Sequence, residues 1–154
     1  MTNNDTLRRL RYTFDISDDN MIKIFSLADY QATREQVSAW LKKDEDDNFK
    51  EIYDNELAIF LNGFISYKRG KKDGPSPVPE KHLTNNIVLR KLKIALNMRD
   101  DEMLKIFDLA DLRISKGELS ALFRKPSDSR YRKCKDQFLR NFIYGLQAKY
   151  RENK

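Results

Sequence analysis

A single cysteine, Cys134, and a single histidine, His82, leave the 154-residue chain nearly without the side chains that build most metal centres and nucleophilic active sites. One thiol excludes an intramolecular disulfide and fits a reducing compartment. There is no CxxC, HExxH or His–carboxylate cluster, and no nucleophile–base pair can be assembled without a second His or Cys. Glycine numbers only five, and the one close pair, Gly70 and Gly74, flanks charged residues rather than forming a phosphate-binding loop. The expectation is a chain that is not an enzyme and uses no cofactor and no metal.

Proline is equally scarce, four residues of which three fall within 75–79. Long stretches free of both Gly and Pro favour helices. The longest uncharged run, residues 57–67, is too short to span a bilayer. No apolar stretch follows a basic start in MTNNDTLRRL, so no secretory signal is visible and the chain reads as cytoplasmic, with no membrane partner. What is abundant is charge, 35% of residues, over a hydrophobic 40% that includes nine Phe and seven Tyr. That mixture fills a core beneath a charged surface and argues against disorder.

The charge is unevenly spread. Residues 1–70 hold ten Lys/Arg against thirteen Asp/Glu, net −3, whereas residues 84–154 hold seventeen against nine, net +8. Such an asymmetry points to an anionic partner for one half only.

Shifting the chain by 82 residues aligns it with itself without a gap: DDNMIKIFSLAD falls on DDEMLKIFDLAD, and DNELAIFLNGF on DQFLRNFIYGL. Roughly one position in three is identical, which marks two copies of one supersecondary unit. The reading is therefore repeat 1 over residues 1–70, a Pro-containing linker over 71–83, and a basic repeat 2 over 84–154. Apolar spacing within each copy is helical. Four helices per repeat are expected, an all-α tandem duplication with no sheet. The second helix begins at Asp18-Asp19 (Asp100-Asp101), read as capping carboxylates. The third begins in a capping box, Thr33 with Gln36 and Ser115 with Glu118. The fourth, with Leu57, Phe60, Leu61 and Phe64, is apolar nearly all round and so is buried on more than one side. Gly63 and Gly145 fall within it at matching positions, which predicts a close helix crossing. Asp29 and Asp111 lie near a helix C-terminus, where carboxylates are unfavourable, and pairing with Arg8 and Arg90 is the expected compensation. Cys134 aligns with Ile52 and reads as a buried apolar residue.

Several of these segments carry a family resemblance: the paired Asn3-Asn4 and Asn85-Asn86, LRRLRY and LRKLKI, LKKDEDDNF, and DQFLRNFIYGL. Together they resemble the YehS-like family of small bacterial proteins, a two-repeat family whose function is unknown. The resemblance implies a bacterial, soluble, helical protein and carries over no catalytic residue. One departure is Asn48, where the family usually has Gly before the aromatic. Asn is the next best residue for left-handed backbone, so the turn is expected to survive.

Two features bear on a binding partner. The second and third helices resemble a helix-turn-helix in outline. On the third helix Arg34, Ser38 and Lys42, and again Lys116, Ser120 and Arg124, form a polar stripe suited to phosphates and base edges, though many surface helices carry one. The segment RKPSDSRYRKCK, residues 124–135, places Arg124, Lys125, Arg130, Arg132, Lys133 and Lys135 around Tyr131, against a single Asp128. Its counterpart in repeat 1 is acidic, and the cluster accounts for much of the excess charge. The leading expectation is a nucleic-acid-binding module acting through Lys116, Ser120, Arg124, Lys125, Arg130, Tyr131, Arg132, Lys133 and Lys135. The alternative is a protein–protein adaptor with no nucleic-acid role.

Overall fold

The computed structural model describes residues 1–152 and contains eight α-helices and no strand among them. The chain divides into two compact units, Met1–Leu83 and Thr84–Lys154. Unit 1 holds α1 (Asn3–Thr13), α2 (Asp18–Leu27), α3 (Arg34–Leu41) and α4 (Asp54–Arg69). Unit 2 holds α5 (Asn85–Ala95), α6 (Asp100–Leu109), α7 (Lys116–Leu122) and α8 (Asp136–Gln147), the last extended by a π-helical turn, Ala148–Glu152. Every helix start is displaced by the 82 residues of the sequence repeat.

Helix ends explain how so few glycines suffice. After α1, α2, α5 and α6 the chain turns through a left-handed residue, and these four are Asp15, Asp29, Asn97 and Asp111, with φ of 51°, 62°, 52° and 59°. Each turn closes by paired bonds. Ile16 N donates to Arg11 O (3.0 Å) and Asp15 N to Tyr12 O (3.2 Å), a pattern repeated after the other three helices. This is the Schellman arrangement, which ordinarily selects Gly and next Asn or Asp. Asp29 and Asp111 are therefore turn residues, and the expected pairing with Arg8 and Arg90 is not formed. Asp29 instead accepts from Ser76 Oγ (2.6 Å) and Lys71 Nζ (3.4 Å), which hold its carboxyl below the usual range, Ser76 foremost.

The N-termini also differ in part from expectation. Thr33–Gln36 and Ser115–Glu118 form reciprocal capping boxes. Asp18 and Asp19, however, lie inside the first turn of α2, and the cap is Ser17, which accepts from Asn20 N at 3.2 Å. In unit 2 the cap position is Arg99, whose N–H is taken by Glu102 at 3.1 Å. The aspartates still complement the helix dipole from within that turn.

The core of unit 1 is an aromatic cluster in which the Phe25 ring lies 5.3 Å from Trp40 and 5.4 Å from Phe60. Phe107 and Phe142, 5.2 Å apart, repeat the Phe25–Phe60 contact in unit 2. Cys134 is fully buried, as Ile52 is, and burial pushes its thiol up to about 11. At Gly63, helix α2 passes so close over α4 that a Cβ would overlap the Ile24 carbonyl oxygen, and Gly145 meets Ile106 in the same way. No methyl group fits there without moving backbone.

A second constraint joins distant segments. Asn4 is buried, and its Nδ2 donates to Trp40 O and Lys50 O, both at 2.9 Å, while its Oδ1 accepts from Ile52 N at 3.1 Å. Asn86 donates to Leu122 O (2.9 Å) and Arg132 O (2.8 Å) and accepts from Cys134 N (2.9 Å). One amide thus ties the first helix of each repeat to the end of the third and to the loop entering the fourth. The preceding residue adds to it: Asn3 Nδ2 reaches Asp54 Oδ1 at 2.8 Å, and Asn85 Nδ2 reaches Asp136 Oδ1 at 2.7 Å. Arg8 and Arg90 cap the third helices, donating to Lys42 O and Phe123 O, each at 2.6 Å.

Two stability predictions follow from these contacts. Gly63→Ala and Gly145→Ala should each destabilise by on the order of 1–3 kcal/mol through overpacking, outweighing the gain of about 1 kcal/mol that Ala brings to a helix. A raised denaturation midpoint for either variant would contradict the close crossing. Asn4→Asp and Asn86→Asp should destabilise more than Asn4→Ala and Asn86→Ala at neutral pH, because a carboxylate facing two carbonyls cannot donate to them. The folded-state pKa of the new acid would then lie above the unfolded value of about 3.9. The deficit relative to wild type should therefore shrink as pH falls through the folded value, and a pH-independent deficit would argue against the clamp.

Candidate functional site

The loop between α7 and α8 is built around Asp128. Its backbone N–H donates to Lys125 O (2.9 Å), its carbonyl accepts from Tyr131 N (3.0 Å), and its Oδ1 accepts from Arg130 N (2.8 Å). The Arg130 guanidinium lies 3.3 Å from the same carboxylate and Arg124 lies 3.7 Å away. The bonds from the Arg130 backbone and side chain, aided by the Arg124 charge, hold the Asp128 carboxyl below its usual range. Two of the six basic residues of the segment are thereby engaged in shaping the turn.

The loop is then fastened to α7. Arg132 N donates to Ala121 O at 3.0 Å, which sets the basic segment against the helix that carries Lys116 and Ser120. Lys116, Ser120, Lys125, Arg130, Arg132, Lys133 and Lys135 are all exposed, and Tyr131 and Arg124 are half-buried. Arg132 also acts on Glu118, whose carboxyl is held low first by the Ser115 N–H and hydroxyl and then by this charge. Among the described residues no carboxylate pairs with Lys116, Lys125, Lys133 or Lys135. Arg124, expected on the third helix, stands beyond it at the head of the loop, because α7 ends at Leu122 with its cap at Phe123.

Unit 1 repeats this frame with other charges. Asp46 N donates to Lys43 O (3.0 Å), Phe49 N to Asp46 O (3.0 Å), Lys50 N to Ala39 O (3.1 Å), and Asn48 N to Asp46 Oδ1 (2.8 Å). Asn48 does not take left-handed backbone, since it is absent from the residues of positive φ. The turn depends on the Asp46 carboxylate, so it requires no Gly at that position. A shallow depression of about 540 Å³ lined by Arg34, Glu35, Ser38, Ala39, Lys42, Asn48 and Lys50 marks where stripe and loop adjoin. Here the cation that opens the stripe is neutralised, because Arg34 pairs with Asp19 and lies 3.8 Å from Asp18. The corresponding Asp100 and Asp101 pair instead with Lys93 (3.0 Å) and Arg99 (3.7 Å), which leaves Lys116 open.

The organising role of Asp128 escapes a reading of the segment as a charge run. Its signal was nonetheless present, because Asp46/Asp128 is the one identity between the copies over residues 44–53 and 126–135. Among the described residues no group of three or more His, Cys, Asp or Glu side chains is placed to hold a metal ion. No helix there is long and apolar enough to cross a membrane.

Comparison with known proteins agrees with the duplicated architecture. The chain is 39% identical to the uncharacterized protein YehS of Escherichia coli (strain K12), over 100% of its own length and 99% of that protein's. No solved structure matches it. The model of a family described as a protein of unknown function, DUF1456, matches twice, at residues 3–70 and 85–152, and the chain belongs to that family.

Proposed function

We propose that the chain is a non-catalytic, cytoplasmic binding module that takes nucleic acid on the face formed by α7 and residues 124–135. The observation that carries this reading is the concentration of exposed, carboxylate-free cations in the loop and the helix to which Arg132 N fastens it: Lys116, Lys125, Lys133 and Lys135, with Arg132 beside them. A phosphate backbone docking there would release condensed counterions, and Ser120 and Tyr131 add a hydroxyl donor and an aromatic surface to the same face. The matching face of unit 1 is a built-in control. It has the same backbone frame, yet Asp44, Glu45, Asp46 and Asp47 surround it with negative charge. Backbone frame alone therefore does not select the partner in this reading; charge does.

Titration of labelled duplex and single-stranded oligonucleotides should show binding that weakens roughly a hundredfold between about 50 and about 200 mM salt, as expected if some four phosphates are neutralised. Replacing Lys125, Arg132, Lys133 and Lys135 by Glu should abolish binding at low salt without changing the helical signal. Reversing Arg34, Lys42 and Lys43 in unit 1 should change it little. Absence of wild-type binding at low salt, or identical behaviour of the two variants, would reject the reading in favour of a protein–protein adaptor.

A further inference from the structure

The two loops have the same backbone and opposite charge, and this bears on how copies of the chain meet. Four corresponding hydrogen bonds shape the turns at Asp46 and Asp128, and their lengths agree within 0.1 Å, as with Asn48 N and Arg130 N to the aspartate Oδ1, both 2.8 Å. On this common frame, residues 42–53 carry five carboxylates against Lys42, Lys43 and Lys50, while residues 124–135 carry six cations against Asp128. Glu45, Asp47 and Glu51 are exposed and have no ion-pair partner among the described residues, and the same holds of Lys125, Lys133 and Lys135.

We propose that the acidic turn of one copy docks on the basic face of a second copy, joining repeat 1 to repeat 2 in a head-to-tail contact. The occupant is a second copy because the complement of each face is carried on the same chain, the three unpaired carboxylates Glu45, Asp47 and Glu51 against the three unpaired cations Lys125, Lys133 and Lys135. Like-with-like pairing is excluded by charge, since two acidic turns repel and so do two basic faces. Only the contact of a repeat 1 turn with a repeat 2 face is attractive; made reciprocally about a two-fold axis it closes a dimer, and made singly it continues past the dimer or closes into a ring. Opposite charges at close range also make the contact weaken as salt screens them. This inference does not depend on the nucleic-acid reading. Where both hold, polyanion and acidic turn compete for one surface.

Sedimentation velocity on the nuclease-treated, nucleic-acid-free full chain tests it. At low salt the average mass should climb with concentration from the 18.3 kDa monomer to about twice that or more, and return to the monomer at high salt. Two variants, E45K/D47K/E51K and K125E/K133E/K135E, should each remain monomeric, because each places like charges on both faces. Mixing them in equal amounts should restore association. A wild type that stays monomeric at low salt and high concentration overturns the proposal, as does association that both variants retain or that survives high salt. Association that appears only on adding an oligonucleotide also overturns it, while leaving the nucleic-acid reading intact.

Discussion

One buried side-chain amide in each repeat holds together parts of the chain that no local signal could bring together. Asn4 and Asn86 each satisfy two carbonyls and one N–H across sequence separations of 36 to 48 residues. Burying such an amide is costly unless its hydrogen bonds are made, and here both amide hydrogens and the oxygen are used. The arrangement is therefore favourable only when the first helix, the end of the third and the loop before the fourth are all in place. Trp40 and Leu122, whose carbonyls accept from the amide, are also core side chains, so the polar clamp and the apolar packing reinforce each other.

With the loop backbone fixed from beneath by the asparagine and from within by Asp46 or Asp128, its outward side chains, Arg124 and Arg130 excepted, are released from structural duty. Glu45 and Asp47 stand where Ser127 and Ser129 stand in the other copy, and Asn48, Lys50 and Glu51 where Arg130, Arg132 and Lys133 stand, without change in the turn. Duplication followed by divergence of charge on a constant frame gives one chain an acidic and a basic version of the same surface. The neutralised Arg34 and the open Lys116 extend the contrast from the loop to the helix beside it.

Much of the fold was legible because its signals are local. The 82-residue register, the capping boxes at Thr33 and Ser115, and the glycines at 63 and 145 all depend on neighbours in sequence or on comparing the two copies. What escaped was long-range or conformational. Asn3-Asn4 stood out as a repeated pair, but nothing local shows that Asn4 reaches Ile52. In sequence Asp29 and Asp111 look like charges in need of Arg8 and Arg90, whereas their use is backbone: they supply the left-handed turn that Gly commonly supplies. At the candidate site, the residue types and their exposure follow from composition. The bond from Arg132 N to Ala121 O, which fastens the loop to the third helix, does not.

The central claim is that each repeat provides a constant frame and that the charges of the loop residues chiefly decide what it attracts. Exchanging the twelve residues 42–53 with residues 124–135, within one full-length chain, tests it most directly. Oligonucleotide titration of the exchanged protein, followed by charge reversal at the new repeat 1 loop, is the measurement. The account predicts a cooperatively folded helical protein whose salt-dependent binding persists and is now abolished by reversing charges in repeat 1. A chain that fails to fold, or one that still binds through repeat 2, would contradict it.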